Sequence, residues 1–93
     1  MDHAIAVEVI SFCDAAGLIR PIRFRFEDEE QVCRTVQIAR IVSTKQVQYV
    51  GREAFVYQCI AEQGGAAVTY ELQYTVKSHQ WSLLRIHPGA AGR

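Results

Sequence analysis

The clearest pattern in the chain is a strict alternation of apolar and polar residues over positions 67–77. The apolar positions in this stretch are Val68, Tyr70, Leu72, Tyr74 and Val76. A period of two indicates a β-strand with one buried face. A second apolar stretch covers residues 54–61, and the adjacent glycines Gly64 and Gly65 between the two suit a two-residue hairpin loop with positive φ. The predicted hairpin has four opposed pairs on one face: Ala61–Val68, Cys59–Tyr70, Tyr57–Leu72 and Phe55–Tyr74.

The rest of the chain also has the pattern of short strands. We expect strands at residues 5–13, 18–27 and 81–86, with a type I turn over Asp14-Ala15-Ala16-Gly17 and a solvated turn at Glu27-Asp28-Glu29-Glu30. Residues 32–42 are rich in β-branched types and are interpreted as a third strand, although their spacing would also fit one face of a helix. Residues 43–52 are polar and mixed, which predicts a connection or a short extra strand.

Two registers are open for the first hairpin. A three-residue loop with a glycine bulge would place Glu8 opposite Phe24 on the core face. A four-residue loop would instead oppose Val9 to Ile22, Val7 to Phe24, Ile5 to Phe26 and Glu8 to Arg23. The second register is predicted because burial of an unpaired carboxylate is costly.

These elements predict an all-β fold. We expect a small antiparallel meander of about six strands, coiled into an SH3-like barrel or a compact sandwich so that no sheet face lies bare. The centre would hold Phe24, Phe26, Phe55, Tyr57, Tyr70 and Trp81, and the outside Glu8, Arg23, Glu71 and Lys77. The 93 residues suit one domain, assigned to residues 1–87, with a disordered tail at 88–93.

Charge and cysteine content limit the class of protein. Acidic and basic residues balance, so the whole chain has no general attraction to nucleic acid or to an anionic membrane. No apolar run approaches the ~20 residues that span a bilayer, and no secretory signal pattern is present. Cys13, Cys33 and Cys59 are widely spaced and odd in number, which favours free thiols and a cytoplasmic location.

The sequence contains no pattern typical of catalysis or metal binding. His3, His79 and His87 have no second ligand at the spacing that a metal site requires. No serine lies in a nucleophile-elbow context, no cysteine lies close to a histidine, and Gly64-Gly65 precedes a strand rather than the helix of a phosphate loop. We therefore expect a non-enzymatic protein without cofactor, metal or catalytic residues.

Two kinds of binding surface are candidates. Ile10, Phe12, Val56 and Ile60 would lie on the outer face and could contact a protein partner or a second copy of the chain. Arg20, Arg23 and Arg25 cluster on one strand and could contact nucleic acid, as in small barrels that bind single strands. The prediction is a binding module for a protein partner, with nucleic acid as the alternative and no membrane contact.

One resemblance is carried by three segments. These are GLIRPIRFRFEDE at residues 17–29, YELQY at residues 70–74 and WSLL at residues 81–84. Through these segments the chain resembles a group of short uncharacterised bacterial proteins. The resemblance extends over most of the length of the chain. The resemblance implies a self-standing bacterial cytoplasmic domain, and it brings no established chemistry with it.

Overall fold

The fold is a single curled antiparallel sheet. The computed structural model describes residues 4–88, with all side chains in that range except that of Tyr49. Seven strands follow one another along the chain: β1 (Ile5–Cys13), β2 (Ile19–Glu27), β3 (Cys33–Gln37), β4 (Arg40–Tyr49), β5 (Arg52–Gln63), β6 (Ala66–Thr75) and β7 (Gln80–Pro88). Their order in the sheet is β3-β2-β1-β7-β6-β5-β4. The all-β, barrel-like fold class is therefore confirmed.

The expected disorder of residues 88–93 falls mainly on positions 89–93, which lie outside the described residues, as do positions 1–3. Within residues 4–88, no helix long and apolar enough to cross a membrane occurs.

The β5–β6 hairpin has the predicted register. Ala61 opposes Val68, Cys59 opposes Tyr70, Tyr57 opposes Leu72, and Phe55 opposes Tyr74. Gly64 and Gly65 have φ values of 59° and 82°, which are the left-handed conformations that the two-residue loop requires.

The two edge strands of the sheet are joined end to end. The single strand predicted for residues 32–42 is divided by a corner at residues 38 and 39: residues 33–37 form β3, and residues 40–42 begin β4. There the amide of Ile38 donates to the carbonyl of Ile22 on β2 (3.0 Å), and the amide of Ala39 donates to the carbonyl of Ile60 on β5 (2.8 Å). The chain thus leaves one side of the sheet and joins the other within two residues, which curls the sheet into a half-barrel.

The polar segment at residues 43–52 forms most of β4, the strand that raises the expected count from about six to seven. β4 pairs only with β5 and lies at the edge of the sheet. Residues 43–48 of this strand are mostly polar, which is common in edge strands. An edge strand with solvent on several sides lacks the alternation that identifies a half-buried strand.

The concave face of the sheet encloses the core. Of the six residues expected at the centre, five are buried and Phe55 is half-buried. The buried cluster contains Phe24, Phe26, Val36, Tyr57, Cys59, Ala61, Tyr70, Leu72, Tyr74, Trp81 and Leu83. Aromatic rings pack against one another within it, with centroids 5.2 Å apart for Phe24 and Tyr70 and 4.9 Å apart for Tyr74 and Trp81.

The predicted register of the first hairpin is wrong. Val9 opposes Phe24 rather than Ile22, and Glu8 opposes Arg25 rather than Arg23. Near the turn the pairing follows the alternative register that the sequence had left open, and a β-bulge between Ile10 and Ser11 then shifts it by one residue. Because of the bulge, the hairpin has both the shorter loop near the turn and a solvent-facing Glu8, which a single unbroken register could not provide together.

The two turns that flank β2 are built alike. In the first, the amide of Gly17 donates to the carbonyl of Asp14 (3.0 Å), as in the predicted type I turn, and Asp14 Oδ1 accepts from the amides of Ala16 and Leu18. In the second, Asp28 has the same role toward the amides of Gln31, Glu30 and Val32. Aspartate side chains commonly cap such turns through their own backbone neighbours.

Candidate functional site

The outer face of the β1–β2 hairpin brings together most of the residues that the sequence singled out. Three opposed pairs lie side by side on it: Glu8–Arg25, Ile10–Arg23 and Phe12–Arg20. Directly opposed residues of an antiparallel pair share a sheet face. We call this surface the arginine–apolar face and define it by Ile10, Phe12, Arg20 and Arg23, bordered by the Glu8–Arg25 pair.

The bulge in this hairpin creates the arginine–apolar face. Ile10 opposes Arg23, and Ser11 opposes Pro21, so Ile22 is an extra residue on β2 without a partner on β1. Strict alternation would place Arg20 on the opposite side of the sheet from Arg23. The extra residue restores Arg20 to the same face and directs Pro21, which is fully buried, into the core.

Apolar side chains on this face are open to solvent. Ile10 is 53% exposed and Phe12 is 47% exposed, although both lie within strand β1. Leu18, at the tip of the same hairpin, is 66% exposed. Sequence reasoning missed Leu18; the available indication was an apolar residue directly after the turn. Exposed apolar side chains gathered in one place, rather than scattered, are typical of interaction surfaces.

The charges on the face are only partly neutralised. Arg25 donates from Nε to Glu8 Oε1 (3.1 Å), and its Nη2 donates to the same oxygen. This hydrogen bond, with the negative charge of Glu8, raises the pKa of the Arg25 guanidinium. The guanidinium carbon of Arg20 lies 4.8 Å above the centroid of the Phe12 ring, a cation–π contact.

Arg23 forms no ion pair with any residue in the described part of the chain. Arg20 likewise has no carboxylate partner within residues 4–88. A shallow groove of about 370 Å³ runs beside Arg23, lined by Glu8, Val9, Ile10, Arg23, Phe24, Arg25 and Thr35. The face therefore combines apolar contact area with two positive charges that no carboxylate of the described chain offsets.

One backbone edge of β1 is open beside this face. β7 pairs with β1 only at Ile5, Ala6 and Val7, whereas residues 8–13 of β1 pair with β2 on their other side. No other strand of the described chain lies along residues 8–13. The peptide groups on this edge are free to pair with an added strand.

The other two predicted contact residues do not join this surface. Val56 is half-buried, and Ile60 is only 5% exposed. The expectation that Ile60 is available for contact on the outer surface is therefore wrong. Both lie on β5, which makes no contact with β1 among the described strands. Ile60 is covered because it lies at the corner between β3 and β4. There the amide of Ala39 donates to the Ile60 carbonyl, and β4 begins to pair with β5.

A second concavity lies between the start of β2 and residues of β4, β5 and β6. It measures about 590 Å³, and its walls include Ile19, Ile41, Phe55, Tyr57 and Tyr74. The hydroxyl groups of both tyrosines already have partners within the protein. Tyr57 donates to the carbonyl of Ile19, and the Tyr74 hydroxyl lies 2.9 Å from His79 Nδ1. Burial raises the pKa of Tyr57, which stays a neutral donor. This cleft offers apolar volume, but its tyrosine hydroxyls are already engaged.

The titratable side chains are dispersed. Among residues 4–88, no three His, Cys, Asp or Glu side chains come together in a group that could hold a metal ion. Cys13 and Cys33 are exposed at strand ends, and burial raises the pKa of the Cys59 thiol to about 12. His79 contacts Tyr74, His87 is exposed, and His3 lies outside the described residues.

The comparisons with known proteins add no relative to this description. No protein-family model, no curated protein and no solved structure matches the chain.

Proposed function

We propose that the protein is a non-enzymatic binding module that contacts a protein partner through the arginine–apolar face. The observation that carries the proposal is the exposure of Ile10 and Phe12 beside Arg20 and Arg23 on one face of the β1–β2 hairpin. Aromatic side chains and arginine are the residue types enriched in protein–protein interfaces, where they combine apolar area with directed hydrogen bonding.

Nucleic acid is the second candidate, because the bulge places Arg20, Arg23 and Arg25 on one face next to an exposed aromatic ring. Two contacts favour the protein partner. Arg25 is paired with Glu8, and the guanidinium of Arg20 covers one side of the Phe12 ring, where a base would otherwise stack. An apolar surface with few free charges fits a protein better than a phosphate backbone.

We propose the cytoplasm as the compartment and a bacterial source for the protein. Three free cysteines, two of them exposed, support a reducing environment. The resemblance of residues 17–29, 70–74 and 81–84 to short bacterial proteins supports the source.

The proposal is tested by placing a photo-crosslinking amino acid at position 12 and, as a matched control, at position 42 in cells that express the protein. Val42 is 43% exposed on β4 and is therefore as accessible as Phe12, but it lies on another part of the sheet. The expected result is one defined protein adduct from position 12 and none from position 42.

The crosslinked partner is then identified by mass spectrometry. The same partner is purified without the crosslink and titrated against the wild type and two serine variants. Arg23→Ser should weaken binding about tenfold, a loss of about 1.4 kcal/mol, whereas Arg52→Ser, an exposed arginine far from the face, should not. Absence of a position-specific protein adduct would refute the proposal. Salt-sensitive binding of fluorescent oligonucleotides that is lost in Arg20→Ser and Arg23→Ser would establish the nucleic-acid alternative instead.

A further inference from the structure

We infer that the partner of the arginine–apolar face is an extended acidic peptide segment that pairs as an added strand along residues 8–13 of β1. This inference rests on the proposed function and assigns its ligand class. It is built on three observations: the open strand edge, the regular backbone of β1 there, and the uncompensated charge of Arg20 and Arg23.

The open edge determines the backbone conformation of the partner. A strand edge presents unpaired N–H and C=O groups in a fixed repeat, and an extended peptide can satisfy all of them at once. In β1 this repeat is not interrupted over residues 8–13, because the extra residue of the bulge, Ile22, belongs to β2. The bulge therefore distorts the neighbouring strand and leaves β1 able to accept a partner.

The exposed side chains determine what the added strand carries on its outer face. Side chains opposed across an antiparallel pair lie about 4.5–5.5 Å apart at their Cβ atoms. Outward residues of the added strand would therefore touch Ile10 and Phe12 directly, and an apolar residue beside Ile10 would cover its exposed surface. The contact with Ile10 and Phe12 explains why apolar side chains are tolerated on an outer face.

Charge determines the remaining outward positions. The guanidinium of Arg20 lies 4.8 Å above the ring of Phe12, a residue of the strand to which the peptide would be added. A peptide paired with β1 would lie one strand spacing, about 4.8 Å, from the backbone of Phe12, so a long acidic side chain on its outward face could extend toward this guanidinium. A glutamate or aspartate beside Phe12 would reach Arg20, and Arg23 offers a second unpaired guanidinium on the same face. Carboxylates form short, charge-assisted hydrogen bonds with arginine.

A second copy of this chain fits the edge less well than a separate acidic segment. Pairing β1 with β1 of another copy would place Arg20 and Arg23 of both chains on one continuous sheet face, where like charges repel. The exposed carboxylate of β1 itself, Glu8, is already bound to Arg25. The charge pattern therefore favours a separate partner that supplies the carboxylates.

The test uses a synthetic ten-residue peptide in which every second residue is threonine and the positions between them alternate between glutamate and valine, so that one face carries both, and a matched peptide in which lysine replaces glutamate. Binding is followed by NMR with ¹⁵N-labelled protein, together with amide hydrogen exchange. We expect the acidic peptide to bind at least tenfold more tightly than the lysine peptide, to weaken as salt is added, and to slow exchange of amides within residues 8–13. The double variant Arg20→Ser/Arg23→Ser should lose at least tenfold in affinity, whereas Arg40→Ser/Arg52→Ser should retain it.

Backbone pairing is tested separately with two N-methylated versions of the acidic peptide, methylated at alternate residues in one phase or in the other. Because only one edge of an added strand pairs with β1, one phase should abolish binding and the other should not. Equal binding of both phases, or tighter binding of the lysine peptide, would overturn the inference.

Perturbation of the same β1 amides by single-stranded oligonucleotides, without an effect of the acidic peptide, would also overturn it, and so would concentration-dependent dimerisation through residues 8–13. The photo-crosslinking result distinguishes failure of the strand-addition inference from failure of the proposed function. A partner captured at position 12 that does not protect the β1 amides leaves the proposed function standing and refutes strand addition. If no partner is captured at position 12, the proposed function falls as well.

Discussion

The hydroxyl of Tyr57 on β5 donates a hydrogen bond to the backbone carbonyl of Ile19 on β2, 38 residues earlier in the chain. β2 and β5 are not neighbours in the sheet order, so this bond spans the interior of the half-barrel. It ties the tip of the first hairpin, which carries the arginine–apolar face, to the β4–β5–β6 side of the fold. The Tyr57 ring also packs against Trp81, with centroids 5.5 Å apart.

Replacing Tyr57 by phenylalanine should therefore destabilise the fold. The change retains the ring but removes the hydrogen bond and leaves the part-buried carbonyl of Ile19 without its donor, at a cost of about 1–2 kcal/mol. For a domain of this size each kcal/mol lowers the melting temperature by about 4–8 °C. Thermal unfolding followed by the fluorescence of Trp81, the only tryptophan, measures the loss.

Tyr70→Phe is the matched control for this prediction. The Tyr70 hydroxyl donates to the Gln63 side chain (2.8 Å), which lies on the adjoining strand of the same hairpin and is exposed to water. Because water can replace this local bond, its loss should cost less than the loss of the Tyr57 bond. Equal destabilisation by the two variants would contradict a special role for the Tyr57–Ile19 bond.

A glycine at position 31 should stabilise the protein. Gln31 has a φ of 63° in a turn built like the one in which Gly17 has a φ of 89°. A left-handed conformation costs a non-glycine residue roughly 1–2 kcal/mol, and the greater freedom of glycine in the unfolded chain offsets about 0.5–1 kcal/mol of the relief. Gln31→Gly should thus raise the free energy of unfolding by about 0.5 kcal/mol in urea titrations.

The reciprocal change Gly17→Gln should lower stability. Glu29→Gly should lower it too, because Glu29 lies in the same turn as Gln31 but has no positive φ. A loss of stability in Gln31→Gly would show that flexibility outweighs strain at this turn.

The three cysteines should differ sharply in reactivity. Cys59 is buried, and its thiol pKa is raised to about 12 because burial disfavours the thiolate, the reactive form. Cys13 and Cys33 are exposed. At pH 8, mass spectrometry after iodoacetamide treatment should show two rapid modifications in the native protein and a third only in denaturant.

Cys13→Ser and Cys33→Ser should each remove one of the rapid modifications and leave the slow one. If Cys59 were alkylated as fast as the other two in the native protein, its enclosure in the core would be wrong.

The pair formed by Asp28 and Arg34 should make stability depend on pH in the acidic range. The hydrogen bond from Arg34 to the Asp28 carboxylate, followed by that from the Val32 amide, holds the pKa of Asp28 below its usual value. A carboxylate with a lowered pKa in the folded state stabilises the fold above its unfolded pKa of about 4. This stabilisation is lost as the pH falls through the folded pKa.

Asp28→Asn retains an acceptor for the amides of Glu30 and Val32 but removes the charge. The difference in unfolding free energy between wild type and Asp28→Asn should be largest at neutral pH, shrink below about pH 4, and decrease in high salt. Arg34→Gln should reduce the same pH dependence. A difference that grows as the pH falls would contradict the assignment.

The sequence by itself determined the β5–β6 hairpin, because every level of local information agreed there. Alternation defined the buried face, and Gly64 and Gly65 supplied the turn, which left one register for opposing Tyr57 to Leu72. The extended state of residues 32–42 and most of the aromatic core followed from the same patterning. Alternation along β1 and the clustering of three arginines on β2 also indicated that Ile10, Phe12 and these arginines were candidate contact residues.

Only the tertiary structure decided how those residues are combined. Alternation predicts which side chains share a face only until a bulge inserts an extra residue, and Ile22 does so between Arg20 and Arg23. A bulge depends on how two strands pair and curve together, so the sequence of either strand alone does not predict it. The burial of Ile60 and the open edge of β1 likewise depend on which strands meet when the sheet curls, because contacts between residues far apart in the chain leave no local pattern.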